Sequence, residues 1–185
     1  MTTSLISKTE FQKLLCSAIN LNSFNRRNKL GIAVNHKPSS WALVGLLKEC
    51  LPKDSLHAFS VDLKLNSNQS SQILNAANKL NKFGIPVQVL EFDLRKVSDN
   101  VNDKTIRHTL NSMLVRECIK NNISILALGS TLEDYLTDLL CEIFSRKAGY
   151  VHGLDILSRL GVEGDMVMAI RPLLKYNTVF FLFYC

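Results

Sequence analysis

The chain has 185 residues, 46 % of them hydrophobic and 21 % charged, and its 22 basic against 16 acidic side chains give a net charge of +6. This composition excludes a disordered tail or a collagen-like repeat, and no apolar run reaches the ~20 residues of a membrane-spanning helix. What remains is one soluble, mildly basic domain, of a charge that suits a nucleic-acid partner among others.

The chain opens on Met-Thr-Thr-Ser-Leu-Ile-Ser and holds no acid before Glu10. Over residues 1–28 this fits an organelle transit segment, with a mitochondrial destination; otherwise the expected location is the cytoplasm. The same residues fit a first helix. Ser7 and Glu10 have capping-box spacing, and Phe11, Leu14, Leu15, Ala18 and Ile19 share one helical face.

From residue 29 onward strands and helices alternate. Residues 30–34 read as a short apolar strand, and a polar stretch from Asn35 to Ser39 leads into a helix over about 40–50 that Pro52 stops. If this stretch is a plain loop, Ser39 or Ser40 is the expected N-cap. A second strand is predicted over 58–63. Ile73, Ala76, Ala77, Leu80 and Phe83 recur at helical spacing, and Gly84 sits where a C-terminal cap belongs. A third strand covers 86–92, and a polar linker covers 96–103. Ile106, Leu110, Met113, Leu114 and Cys118 mark the next helix. The almost wholly apolar run 123–128 is a strand covered on both faces. Gly129 ends it, a helix follows over 131–147, and a last strand over 166–170 runs into Arg171-Pro172.

This alternation predicts an α/β fold: a Rossmann-like parallel sheet with helices on both faces, three layers in all. Residues 30–34 and 123–128 are expected to be its adjacent central strands. Ligands of such folds lie beyond the carboxyl ends of the strands, which singles out two junctions. The first, Asn35 to Ser40, offers a helix N-terminus with unpaired N–H groups for phosphate. Lys37 adds charge, and Asn35, Ser39 and Ser40 add hydrogen-bonding side chains; a plain capped loop is the alternative. The second, Gly129 to Asp134, places Glu133 and Asp134 at a helix start, where paired acids hold magnesium or merely complement the helix dipole. Arg107 and Arg171 present planar forks suited to phosphate or carboxylate. The five cysteines and four histidines are scattered, which predicts buried reduced thiols and no structural zinc.

The stretch Leu-Gly-Ile-Ala-Val-Asn-His-Lys-Pro-Ser-Ser-Trp-Ala-Leu over 30–43 resembles the pyrophosphatase loop of the tRNA(Ile)-lysidine synthase family, within the PP-loop superfamily. There a strand runs into Ser-Gly-Gly-x-Asp-Ser and an apolar helix. Later features keep the family's order: Gly84-Ile85-Pro86, Arg107 in the following helix, Gly129 before an acidic helix start, Gly153-Leu154, and Ile170-Arg171-Pro172-Leu173-Leu174. The resemblance covers about residues 11–176. It implies an adenine nucleotide alpha hydrolase-like domain over 29–176, using ATP and magnesium. Its partners would be an isoleucine tRNA and L-lysine, in a homodimer, with no membrane. The family enzyme adenylates the wobble cytidine and releases pyrophosphate; the amino group of lysine then displaces AMP. By this correspondence Asn35, His36, Lys37, Ser39, Ser40 and Arg107 bind the nucleotide. Glu133, Asp134 and Arg171 are catalytic, and Asp134 is the metal ligand. Lys64, Arg146 and Lys147 would contact tRNA phosphates, or form a solvated face.

The loop departs from the family pattern, and only Ser40 matches it outright. His36 and Lys37 replace glycines that let the backbone approach phosphate, Pro38 removes a donor, and Ser39 replaces an acid. Ser130 and Thr131 replace two histidines, and Thr137-Asp138 stands for a Glu-Thr pair. Two alternatives follow: a diverged, non-catalytic nucleotide- or RNA-binding relative, or a fragment whose apolar tail, 177–185, stands where the family continues into tRNA-recognition helices.

Overall fold

The two most apolar strands, β1 (Leu30–Ala33) and β4 (Ile125–Leu128), lie side by side at the centre of a six-stranded sheet. They pair in parallel, with Leu30 opposite Ile125 and Ala33 opposite Leu128. The structure is a computed structural model and describes residues 29–96, 103–144, 157–162 and 164–176, together with positions 9, 10 and 13. The N-terminal helix or transit segment, Arg146, Lys147, Gly153-Leu154 and the apolar tail lie essentially outside the described residues.

β2 (Leu56–Asp62) and β3 (Val87–Glu91) extend the sheet beyond β1, and β6 (Asp165–Ile170) and β5 (Leu157–Val162) extend it beyond β4, in the order β3-β2-β1-β4-β6-β5. All pairs are parallel except β5 with β6. The sequence reading lacks β5. Gly161 interrupts its apolar pattern, and its antiparallel place depends on a turn through Gly164, whose φ of +95° a side chain would strain.

Four helices connect these strands among the described residues: α1 (Pro38–Cys50), α2 (Ser67–Lys82), α3 (Asp103–Lys120) and α4 (Leu132–Phe144). Alternate strand residues point to opposite faces. Leu30, Ile32, Leu56 and Ala58 therefore pack with Leu43, Leu47 and Leu80 of α1 and α2. Phe59 and Leu126 meet Val115 and Cys118 of α3 on the other face. The expected three layers are present. α2 ends as its sequence predicts: Gly84 takes a φ of +78°, and the Ile85 N–H donates to the Leu80 carbonyl.

No described helix is long and apolar enough to cross a membrane. Burial pushes the Cys118 thiol up to about 12, so it is inert as a nucleophile at neutral pH.

Candidate functional site

Parallel pairing sends β1 and β4 out of the sheet at the same end, so the two junctions stand together. After β1, the Asn35 side chain folds over the start of α1. Its Oδ1 accepts the Lys37 N–H at 2.9 Å and the Ser40 hydroxyl at 2.8 Å. Lys37 is extended (φ −72°, ψ 145°) and is the N-cap, with no side-chain cap bond, and Pro38 occupies the first helical turn. The expected Ser39 or Ser40 cap is therefore corrected. Proline needs no N–H at the first helical position and its φ is already helical, so α1 begins earlier and takes both serines inside, each 2 % exposed. The Ser40 N–H turns back to the Lys37 carbonyl, which leaves the N–H groups of His36 and Ser39 without an acceptor among the described residues. This end of α1 carries no acid in its first turn.

The second junction is closed upon itself. A Cβ on Gly129 would lie 3.0 Å from the Ser40 Cα and 3.1 Å from its nitrogen, so only glycine lets the end of β4 approach α1 this closely. Thr131 is fully buried and caps α4. Its hydroxyl accepts the Asp134 N–H at 3.4 Å, while Asp134 Oδ2 accepts the Thr131 N–H at 3.0 Å and hydroxyl at 3.1 Å. This is a capping-box arrangement, legible in the Thr-x-x-Asp spacing but missing from the sequence reading. The Leu132 N–H donates to the Tyr176 carbonyl at 3.0 Å, which packs the Arg-Pro-Leu-Leu-Lys-Tyr turn against the same helix end.

The junctions meet in an ion pair: Lys37 Nζ lies 2.6 Å from Asp134 Oδ1. Burial pushes the Asp134 carboxyl up. The Lys37 ammonium and the Thr131 N–H and hydroxyl outweigh it and hold the carboxyl below the ordinary carboxylate range. Asn35, Lys37, Ser40, Thr131 and Asp134 thus form one group, with Glu133 half-buried in the same first turn of α4. Arg171 follows β6 at this end of the sheet, and its Nη1 donates to the Ser158 hydroxyl on β5. Arg107 is exposed near the start of α3, and His36 is exposed beside Lys37.

One strand further out, a second charged cluster escaped the sequence reading. Asp62, buried at the end of β2, accepts the Lys64 N–H at 2.8 Å and the Ser70 hydroxyl at 3.0 Å. Lys64 Nζ lies 3.2 Å from both Asp62 and Glu91. Burial raises the Asp62 carboxyl, but these donors outweigh it and keep it low. Lys64, read from the sequence as a contact for tRNA phosphates or part of a solvated face, has its ammonium engaged by these two carboxylates. Its φ of +55° is what turns the chain back for that contact.

No three His, Cys, Asp or Glu side chains converge as a metal site among the described residues. Magnesium needs only one or two carboxylates when substrate phosphates complete its shell. Asp134, with the Thr131 hydroxyl beside it, is a hard oxygen donor of that kind, and it fits once Lys37 leaves Oδ1.

The PP-loop domain family matches residues 4–181 of the chain. A curated relative, the tRNA(Ile)-lysidine synthase of Ruegeria pomeroyi, is 30 % identical over 148 residues, covering 79 % of this chain and 34 % of that protein. The chain thus spans about a third of that relative's length. Among solved structures, the U34-tRNA thiolase NcsA of Methanococcus maripaludis, with its [4Fe-4S] cluster, superposes with a TM-score of 0.71 at 18 % identity, over 95 % of this chain and 62 % of that one. The NH3-dependent NAD synthetase of Campylobacter jejuni follows at 0.56 and 14 % identity, over 97 % and 73 %. Yeast FAD synthetase reaches 0.56 at 15 % identity, over 100 % and 61 %. At these identities the structural likenesses establish the fold.

Proposed function

The chain belongs to the PP-loop domain family, and from that premise we propose that it is an ATP-using ligase that modifies tRNA, of the lysidine-synthase type. In this reading ATP activates the wobble cytidine of an isoleucine tRNA and pyrophosphate leaves. The amino group of L-lysine then attacks the activated ring carbon and AMP departs. The enzyme acts as a homodimer. Its mitochondrial placement rests on the Ser-rich, acid-poor start and is checked by import into isolated mitochondria.

The observation that carries this reading is the contact between Lys37 and Asp134, which joins a phosphate-seeking helix end to a carboxylate across the two central strands. The N–H groups of His36 and Ser39 and the Lys37 ammonium supply the charge and donors that a polyphosphate needs. As phosphate arrives, Lys37 exchanges Asp134 for phosphate oxygen. The Asp134 carboxylate, ionised throughout the neutral range, would hold magnesium, which would supply charge neutralisation when bound. Asn35 and Ser40 keep the loop in register. Arg171 and Arg107 provide cationic forks at the same end of the sheet, and Glu133 adds a second carboxylate.

The test is pyrophosphate–ATP exchange with labelled pyrophosphate, total tRNA and lysine. Exchange that requires tRNA supports the ligase. ATP binding without exchange favours the non-catalytic nucleotide-binding relative, a reading supported by a loop without the family's glycines. Absence of ATP binding overturns both.

A further inference from the structure

A groove of about 790 Å³ runs down the outer side of α1 to the end of α2, starting at His36 beside the candidate nucleotide site. Its lining has no Asp or Glu and includes Lys48, Lys79 and Lys82. None of these lysines has a carboxylate partner among the described residues. Their cationic end of the groove surrounds Phe83, which is 57 % exposed, and Lys48 Nζ lies 5.3 Å from the centre of its ring. Trp41, half-buried, lines the upper part. From Pro38 to Lys48 the helix rises about 15 Å, so the groove links the nucleotide end of the sheet with the opposite end.

Gly45 is an independent sign. It lies in the interior of α1, lines the groove, and a Cβ there would meet nothing within 4 Å. A glycine inside a helix weakens it, and no neighbour in this fold demands one. Its effect is to keep the groove wide at mid-length.

We propose that this groove binds a segment of unpaired RNA strand. Lys48, Lys79 and Lys82 would meet successive phosphates, and a base would stack on Phe83. The choice of RNA over an acidic polypeptide rests on the combination of unpaired cations with an exposed aromatic ring. Phosphate tracks plus base-stacking platforms recognise single-stranded nucleic acid in this way. The proposal rests on the tRNA reading above and gives that tRNA a path away from the nucleotide site.

The experiment measures binding of fluorescent, unmodified isoleucine tRNA to the full chain by anisotropy, across a salt series. The triple variant Lys48→Gln, Lys79→Gln, Lys82→Gln is expected to lose at least tenfold in affinity. Its log-affinity against log-salt slope should flatten by roughly two, as each phosphate contact contributes ~0.7–0.9. A control triple, Lys96→Gln, Arg116→Gln, Lys120→Gln, changes net charge equally on exposed positions of other elements and should retain most binding. Phe83→Leu should cost about tenfold with the slope unchanged, and Phe83→Trp should restore it. ATP affinity and thermal melting of each variant establish that the fold is intact. Equal losses from both triples, or a silent Phe83→Leu with polyglutamate displacing tRNA as well as RNA does, overturn the proposal and leave the tRNA reading standing. A parent chain that binds no tRNA at low salt overturns the tRNA reading, and this proposal with it.

Discussion

The two strand-to-helix junctions at the centre of the sheet have the same topology and opposite chemistry. After β1 the helix begins on proline, has no acid in its first turn, and leaves the N–H groups of His36 and Ser39 without an acceptor among the described residues. After β4 the helix begins on a buried threonine whose bonds with Asp134 close the helix end. One end is left open to an anion from outside; the other has taken its anion from its own sequence. The difference teaches that a helix N-terminus becomes a site only where side chains have not already satisfied it. Here the open junction borrows a carboxylate from the closed one through Lys37.

The contact between the junctions should be the most sensitive point. Gly129→Val forces branched carbons into the Ser40 backbone, and urea unfolding should show a loss of about 2–3 kcal/mol. An unchanged midpoint would mean that the two loops do not lie this close. The open junction should respond in ligand binding. By calorimetric titration, Lys37→Ala weakens ATP by roughly 1–3 kcal/mol in magnesium and in chelator alike, whereas Asp134→Asn weakens it only in magnesium. If both variants bind ATP like the parent in both buffers, the nucleotide lies elsewhere.

The closed junction should respond in stability. Thr131→Ala removes a buried cap and is expected to lower unfolding free energy by about 1–2 kcal/mol. Lys37→Ala, which removes an ion pair with a half-exposed lysine, costs under about 1 kcal/mol. The reverse ranking would erase the distinction between the two ends. The smallest effect is one of pH. Because the folded Asp134 carboxyl titrates below its ordinary 3.8, its pairing stabilises the fold above about pH 4, where the unfolded carboxyl is also ionised, and this is lost as pH falls through the folded value. The stability gap between parent and Asp134→Asn should be flat above about pH 5 and narrow as pH falls below about 4. A gap that widens in acid would mean that Asp134 is not held low.

The fold was legible where burial dictates residue type. Apolar runs at 30–34 and 123–128 mark central strands because both faces are covered, and Gly84 marks the end of α2 because only a left-handed residue closes that turn. β5 was not legible, since an edge strand needs little apolar pattern and takes its place from hydrogen bonds to β6. Within the site, the sequence supplied Asn35, Lys37, Asp134 and Arg171 as residue types at strand ends. Only the tertiary structure decided their partners: that Lys37 reaches Asp134, that Arg171 turns to Ser158, and that Lys64 is claimed by Asp62 and Glu91. The physical reason is range. Helix and strand patterns are set by neighbours a few residues away and are written in local periodicity, whereas an ion pair between residues 97 apart depends on which strands the sheet places side by side.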